Sequence, residues 1–237
     1  MRRVRETIHL RPHAGVAERV LLPGDPGRAL RLAQVLLASP PQMLNHNRGL
    51  WGYTGIAADG EALTVQSTGM GGPSAAIVVE ELIALGARRL VRVGTCGALA
   101  GGFELGELLI ADSVLAGDGA SRALGAGERL EPDRLLLTRL RAAARDGTRT
   151  GTVVSTDLFY DPDAGWADRW SAAGALAVEM EAASVLAVAA RHGVAAACVL
   201  VVSDLLAAGN RRRIDTDALT EAERRLGHLG AAALATG

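Results

Sequence analysis

Residues 90–98 read Leu-Val-Arg-Val-Gly-Thr-Cys-Gly-Ala, and the interpretation of the fold starts from this stretch. A short apolar, β-branched run that leads into glycines is typical of a buried strand followed by a turn. Arg92 stands where the pattern requires an apolar residue, and a buried guanidinium is costly to desolvate unless an anion meets it. The stretch therefore predicts a buried strand at 90–93, with either an internal arginine–carboxylate pair or an anion site at its end.

Apolar strand-like segments alternate along the chain with alanine- and leucine-rich segments of helical period. The predicted strands are Arg19–Leu22, Leu63–Ser67, Leu90–Val93, Glu107–Val114, Gly151–Ser155, Leu176–Glu179 and Ala196–Ser203. The predicted helices are Pro26–Leu37, Pro73–Leu85, Pro132–Asp146, Asp163–Ala173, Met180–His192 and Thr220–Ala235. This alternation predicts a single α/β domain over residues 1–237, with a central mostly parallel or mixed twisted sheet flanked by helices. Ligands of such sheets bind beyond the carboxyl ends of the strands.

Composition excludes several classes of protein. The formal net charge of -1 over 237 residues argues against non-specific binding to nucleic acid, and lysine does not occur in the chain. No signal peptide or membrane-spanning run is visible, and the five histidines are too scattered for a structural zinc site. Cys96 and Cys198 both lie in apolar strand-like contexts, as reduced cysteines of a cytoplasmic protein do.

Three arginines lie beside glycines on separate segments and predict an anion site. Arg28 follows a Pro-Gly-Asp-Pro turn whose Gly24 can bring its amide close to a ligand at the start of a helix. Arg48 lies in a second glycine-rich segment, and Arg92 is followed by the hydroxyl of Thr95. Together these groups can converge on one phosphate-sized anion through charge-assisted hydrogen bonds. The alternative for Arg28 is a solvated side chain on a tight loop.

Three further strand ends carry polar or aromatic groups. Phe159 predicts either a stacking surface for a flat heterocycle or a local hydrophobic plug. Glu179 and Glu181 flank Met180, so that one carboxylate can accept hydrogen bonds from sugar hydroxyls, unless Glu181 only caps a helix. Asp204 ends an all-apolar strand, where it is either a general acid that stays protonated near neutral pH or the cap of the next helix.

Seven motifs in this order resemble the nucleoside phosphorylase family, and most of all the hexameric, bacterial-type purine nucleoside phosphorylases. They are PGDPGR (23–28), NRGLWGYTG (47–55), TGMGGPS (68–74), RVGTCGA (92–98), STDLFY (155–160), VEMEAA (178–183) and VVSD (201–204). The resemblance implies phosphorolysis of purine nucleosides or deoxynucleosides to the free base and the sugar 1-phosphate. No metal or organic cofactor is implied, since inorganic phosphate is a co-substrate.

The same resemblance implies a role for each matching residue. Phosphate would be bound by Gly24, Arg28, Arg92 and Thr95, completed by Arg48 of a neighbouring subunit in a homohexamer built as a trimer of dimers. The nucleoside would be bound by His9 of the neighbour (or His13), Phe159, Val178, Glu179, Met180, Glu181 and Ser203. Asp204 would protonate the purine, assisted by an arginine for which Arg224 is the best match and Arg211, Arg212 and Arg213 are alternatives.

Two other enzymes and one non-enzyme compete with this interpretation. Uridine phosphorylases resemble the chain in TGMGGPS and VEMEAA, but the Gln-x-Arg pair with which they bind uracil is missing from residues 161–170. A nucleosidase has no use for three phosphate-facing arginines. A non-catalytic nucleoside-binding protein would be expected to lack the acid or the arginines, and the chain has both.

Overall fold

One sheet of eleven strands runs through the described chain. The computed structural model describes residues 7–38, 40–206 and 211–235. The strands are β1 (Arg19–Leu22), β2 (Gln42–Asn45), β3 (Gly52–Ile56), β4 (Ala62–Gln66), β5 (Arg89–Ala98), β6 (Leu108–Ala116), β7 (Arg129–Leu130), β8 (Arg149–Ser155), β9 (Ala177–Glu179), β10 (Ala195–Leu205) and β11 (Arg212–Arg213). The helices are α1 (Pro26–Leu36), α2 (Gly72–Ala84), α3 (Gly119–Ala123), α4 (Arg134–Ala143), α5 (Trp166–Ala172), α6 (Ala182–His192) and α7 (Thr216–Leu234), with a 3₁₀ turn at Asn47–Gly49.

Five strands close into a ring. β10 pairs in parallel with β5 and antiparallel with β6, β6 pairs with β8, β8 with β9, and β9 returns to β5. β1 pairs with the first half of β5, where β9 does not reach, and β4, β3 and β2 extend the sheet beyond β1. The ring brings the ends of β5, β8, β9 and β10 together, and these are the strand ends at which the sequence places its polar motifs.

Two apolar cores cover the two faces of the sheet. One contains Val79 of α2 and Val185 of α6, and the other contains Leu32 of α1 and Leu226 of α7. Alternate residues of β10 enter the two cores, which explains its all-apolar sequence up to Val202.

The α/β class with a mixed sheet flanked by helices is confirmed, and all seven predicted strands are present. The predicted turn after Val93 is wrong, because residues 94–98 continue β5 and pair with both β10 and β9. Glycine is needed at position 94 for packing, since an added Cβ would lie 2.7 Å from Nη2 of Arg92. The sequence did not predict the short elements β2, β3, β7, β11 and α3. No helix in the described residues is long and apolar enough to cross a membrane.

Candidate active site

A cavity of about 880 Å³ opens where the ring strands end. Its volume lies in the range of sites that bind small molecules. Eleven of the residues predicted from the sequence line it: Gly24, Arg28, Arg92, Thr95, Phe159, Val178, Glu179, Met180, Glu181, Ser203 and Asp204. Segments up to 180 residues apart in sequence therefore meet at one site, as the motifs predicted.

Arg92 is held by two carboxylates at one end of the cavity. Its Nε donates to Oε2 of Glu179 at 2.7 Å, and its Nη2 forms an ion pair with Oε2 of Glu181. Burial alone would lower the pKa of Arg92, but the charges of Glu181 and Glu179 outweigh it and raise that pKa. The arginine–carboxylate pair that the sequence allowed is therefore present, and the guanidinium remains charged.

Arg28 is buried in the first turn of α1, so its alternative as a solvated loop residue is wrong. The side chain of Asp25 caps this helix by accepting from the Arg28 amide at 2.6 Å. Gly24 lies just before this cap, and a Cβ added to it would be in ordinary contact, 4.0 Å, with Nη1 of Arg92. We call Gly24, Arg28 and Arg92 the arginine end of the cavity; Thr95 follows on β5.

Glu179 and Glu181 have different tasks, although the sequence pattern makes them look equivalent. Glu179 accepts from the amides of Glu181 and Ala182 at the start of α6 and from the hydroxyl of Ser155. Its oxygens are thus committed to protein partners. The side chain of Glu181 does not cap α6 but accepts from the Gly71 amide at 2.6 Å. Burial raises the pKa of Glu181, with Arg92 opposing that rise.

Asp204 lies at the other end of the cavity, within β10 rather than at a helix start. Its Oδ2 accepts from the hydroxyl of Ser203 at 2.9 Å, and that hydroxyl lies 3.2 Å from the carbonyl oxygen of Cys96. Nη1 of Arg213 lies 3.9 Å from Oδ1 of Asp204, because β11 pairs these two residues in register. The helix-cap alternative for Asp204 is therefore wrong.

Aromatic side chains surround this second end. Phe159 is half exposed and contacts Tyr160 edge to face, with ring centroids 5.0 Å apart. The guanidinium of Arg211 lies 5.7 Å from the Phe159 centroid. Phe159 is too exposed for a hydrophobic plug, so the geometry fits a stacking surface. We call Phe159, Tyr160, Asp204, Arg211 and Arg213 the aromatic end of the cavity.

Two buried polar atoms in the cavity lining have no hydrogen-bond partner among the described residues. They are Nη1 of Arg92, at the arginine end, and Oδ1 of Asp204, at the aromatic end. Buried polar groups are nearly always paired, so each marks a place where a ligand would supply the missing partner. Nη1 of Arg92 needs a hydrogen-bond acceptor, which an anion would supply. Oδ1 of Asp204 suits a ligand group that exchanges a proton with a carboxyl.

His9 and Arg48 lie outside this lining but close to each other. Nδ2 of Asn47 donates to the carbonyl oxygen of His9 at 2.8 Å, which joins the segment of His9 to the turn that carries Arg48. Glu81 of α2 accepts from the amides of residues 8–10 and contacts the His9 ring at 2.8 Å. Arg48 is exposed and has the only positive φ, 59°, among the non-glycine residues that the structure describes.

Arg224 is not brought to the cavity. It is exposed on α7 and pairs with Glu221 at 2.8 Å. Arg211 and Arg213 line the cavity instead, so the structure favours two of the alternatives in the preceding loop. Residues 207–210 of that loop lie outside the described residues. Sequence reasoning also missed Glu223, whose position within an arginine-rich helix gave no signal that it is buried.

Among the described residues, the cavity lining offers neither a reactive thiol nor a cluster of metal ligands. Burial raises the pKa of Cys96 far above its usual range, so that its thiol is protonated and a poor nucleophile. Within residues 7–38, 40–206 and 211–235, no group of three or more His, Cys, Asp or Glu side chains is placed to hold a metal ion. The absence of a cofactor stays a prediction.

Comparison with known proteins identifies the class. The family model of the phosphorylase superfamily matches residues 18–235. The chain belongs to this superfamily, which confirms the family resemblance of the motifs.

Individual relatives are more specific. A guanosine phosphorylase of Halorubrum lacusprofundi is 39% identical over 85% of this chain and 84% of its own. A DeoD-type purine nucleoside phosphorylase of Alkaliphilus metalliredigens is also 39% identical, over 86% of this chain and 90% of its own. Among solved structures, a uridine phosphorylase of Vibrio fischeri superposes with a TM-score of 0.82 at 26% identity, covering 92% of this chain and 91% of the other.

Proposed function

We propose that the protein is a purine nucleoside phosphorylase, which cleaves purine ribonucleosides or deoxyribonucleosides with inorganic phosphate. The observation that carries the proposal is the pair of unpartnered polar atoms, Nη1 of Arg92 and Oδ1 of Asp204, in one cavity. A cation at one end and an acid at the other are what phosphorolysis requires. The names of the sequence relatives, a guanosine phosphorylase and purine nucleoside phosphorylases, support the same substrate class.

The spacing of the two ends supports this assignment. Arg92 and Gly97 are five residues apart on β5, and Asp204 is opposite Gly97, so the two backbones are roughly 16 Å apart along the strands. This leaves room for a sugar between the anion and the acid. Met180 and Glu181 line the cavity with them, and the carboxylate of Glu181 suits the two vicinal hydroxyls of ribose.

The reaction follows from this arrangement. Phosphate held by Arg28 and Arg92 attacks C1′ with an oxygen lone pair, the bond from C1′ to the purine nitrogen breaks, and its electrons move into the base. Asp204 gives its proton to N7 of the leaving purine, which contributes about 10²–10⁴-fold. Binding phosphate beside C1′ contributes through proximity and orientation. The products are the free purine and the sugar 1-phosphate.

The direct test is an assay with inosine, adenosine, guanosine and uridine, each with and without inorganic phosphate. The proposal expects purine release that depends on phosphate and yields a sugar 1-phosphate. Base release without phosphate would identify a hydrolase instead. Uridine as the preferred substrate would favour the activity for which the structural neighbour is named.

We also propose a homohexamer in which each site is completed by a neighbour. The support is the surface patch on which Asn47 joins the segments of His9 and Arg48, both outside the lining of their own cavity. Arg48 holds a positive φ of 59°, and such strained conformations at non-glycine residues cluster at functional sites. The free, buried state of Cys96 and Cys198 supports a cytoplasmic location.

Subunit mixing tests the shared site. Arg48→Gln and Asp204→Asn chains are each expected to be nearly inactive alone. When the two are co-expressed, mixed oligomers contain sites with an intact Arg48 from one chain and an intact Asp204 from the other. Activity well above that of either parent is expected, and its absence in verified mixed oligomers would contradict sharing.

A further inference from the structure

Glu223 is a buried carboxylate that none of the cavity motifs contains. It lies on α7, is 2% exposed, and faces α1 rather than solvent. Its Oε1 accepts from Nε of Arg28 at 2.7 Å, and its Oε2 accepts from Nη2 of Arg31 at 2.6 Å. One carboxylate thus joins the arginine at the cavity to a half-exposed arginine one turn further along α1.

The sequence of α7 brings this carboxylate close to α1. Gly227 lies one turn after Glu223, and an added Cβ there would be 2.5 Å from Cδ2 of Leu32 on α1. Gly230 follows on the same face, and its added Cβ would lie 2.8 Å from Cγ1 of Val93 on β5. A side chain at either position would force its neighbours to move, so the two glycines let α7 pack closely against both elements.

The two arginines at the arginine end are held in the same way. Glu179 accepts from Nε of Arg92 at 2.7 Å, and Glu223 accepts from Nε of Arg28 at 2.7 Å. A guanidinium bound at Nε is fixed in its plane, while its terminal nitrogens remain at the tip of the side chain. In both cases the fixed tip belongs to a residue that lines the cavity.

We infer that Glu223 is a positioning residue that aims Arg28 at the phosphate, an inference that rests on the proposed function. Nη2 of Arg31 binds the second oxygen of Glu223 and also lies 3.7 Å from Oδ1 of Asp25. Two arginines and two carboxylates balance in charge, so this cluster supplies geometry rather than surplus charge. Glu223 orients Arg28, and Arg31 holds Glu223 in place.

The test is Glu223→Asp, which keeps the charge but shortens the reach by one methylene. We expect KM for phosphate to rise about 10- to 100-fold, because small misplacements of a binding group are costly. KM for the nucleoside and kcat at saturating phosphate should stay within about twofold, a split that general loss of structure would not produce. Glu221→Asp is the matched control, since it makes the same change on an exposed side of α7 and should leave KM for phosphate unchanged.

A double variant shows whether the effect passes through Arg28. Arg28→Lys removes the Nε that Glu223 binds, so adding Glu223→Asp to it should raise KM for phosphate less than twofold further. A full additional rise in that background would overturn the inference. So would an unchanged KM for phosphate in folded Glu223→Asp, or an equal rise in the Glu221→Asp control.

Arg31→Gln keeps the inference testable even if Glu223→Asp fails to fold. Arg31 is half exposed, and its loss removes the group that holds the second oxygen of Glu223. KM for phosphate should then rise several-fold with KM for the nucleoside unchanged, and no change would overturn the inference. Thermal shifts with inorganic phosphate alone separate this inference from the proposed function. If wild-type protein binds phosphate more tightly than Glu223→Asp but cleaves no nucleoside, the inference about Glu223 stands and the proposed phosphorylase activity is refuted.

Discussion

The arginine end of the cavity is preorganised, whereas the aromatic end is open. Arg28 and Arg92 are buried, and each has its Nε fixed by a buried glutamate. At the aromatic end Tyr160 is 86% exposed and the side chain of Arg213 is 67% exposed. The difference indicates that the anion meets two arginines of this chain that are already held in place, while the base must help to order the groups that surround it.

Asp204→Asn tests the aromatic end most severely. The substitution keeps the shape of the side chain but removes the proton that the leaving base needs. Adenosine turnover should fall about 10²–10⁴-fold. Phosphate binding, measured by thermal shift, should not change, because the arginine end is intact. Unchanged turnover would remove Asp204 from the role of general acid.

Arg92→Met tests the arginine end and should affect stability as well as activity. It leaves Glu179 and Glu181 buried without their cation, and breaking such a buried pair costs about 3–5 kcal/mol. Phosphate-dependent turnover should fall at least 10²-fold with it. Chemical denaturation measures the first effect. Wild-type stability in this variant would contradict the preorganised description of the arginine end.

Phe159→Ala, at the aromatic end, should affect nucleoside binding but hardly affect stability. Loss of the stacking surface should raise KM for the nucleoside about tenfold, which is about 1.4 kcal/mol. Because Phe159 is half exposed, the free energy of unfolding should change by only about 0.5 kcal/mol. An unfolding free energy reduced as much as in Arg92→Met would show that the two ends do not differ in this respect.

The pH dependence of stability reports on Glu181. Burial raises its pKa above the ordinary 4.5. Between pH 4.5 and the pKa of the folded state, the folded chain therefore keeps a proton that the unfolded chain has lost. Its contribution to the free energy of unfolding is therefore complete below pH 4.5 and falls as the pH rises through the folded pKa, by at most about 1.4 kcal/mol per pH unit. Urea unfolding of wild type and Glu181→Gln across this window should show the gap shifting in favour of the variant as pH rises. A gap independent of pH would contradict the raised pKa.

Arg213→Gln and Arg224→Gln form a matched pair for the smallest effect. Arg213 lies beside Asp204 and lines the cavity, so its loss should lower adenosine turnover by about two- to fivefold, because an exposed charge 3.9 Å away has a modest effect. Arg224 pairs only with Glu221 among the described residues, and its loss should leave turnover unchanged. If loss of Arg224 lowered turnover more than loss of Arg213, Arg224 would be the arginine that assists Asp204, as the motifs suggested.

The sequence predicts the arginine end better than the aromatic end, for a physical reason. Arg92 within an apolar strand and Arg28 at a helix start are local anomalies that demand an anion, and both are found in the cavity lining. Arg213 reaches Asp204 through the pairing of β11 with β10, a contact between strands that no local pattern announces. The motif comparison therefore selected Arg224.

Two other features were beyond local reasoning. The glycines after Val93 suggested a turn, but they serve packing around the Arg92 side chain within a continuing strand. Glu179 and Glu181 could not be told apart, because their roles depend on which one faces the first amides of α6. Such distinctions depend on tertiary contacts rather than on periodicity.

The short strand β9 closes the ring of strands and also carries Glu179. β9 is only three residues long and completes the ring of strands. The carboxylate of Glu179 at its end binds both Arg92 and the first turn of α6. The closure of the ring and the binding of the anion therefore depend on the same short strand. A local opening that breaks the pairing of β9 also removes Glu179 from Arg92. Protection of the β9 amides from hydrogen exchange and affinity for phosphate should therefore decrease together.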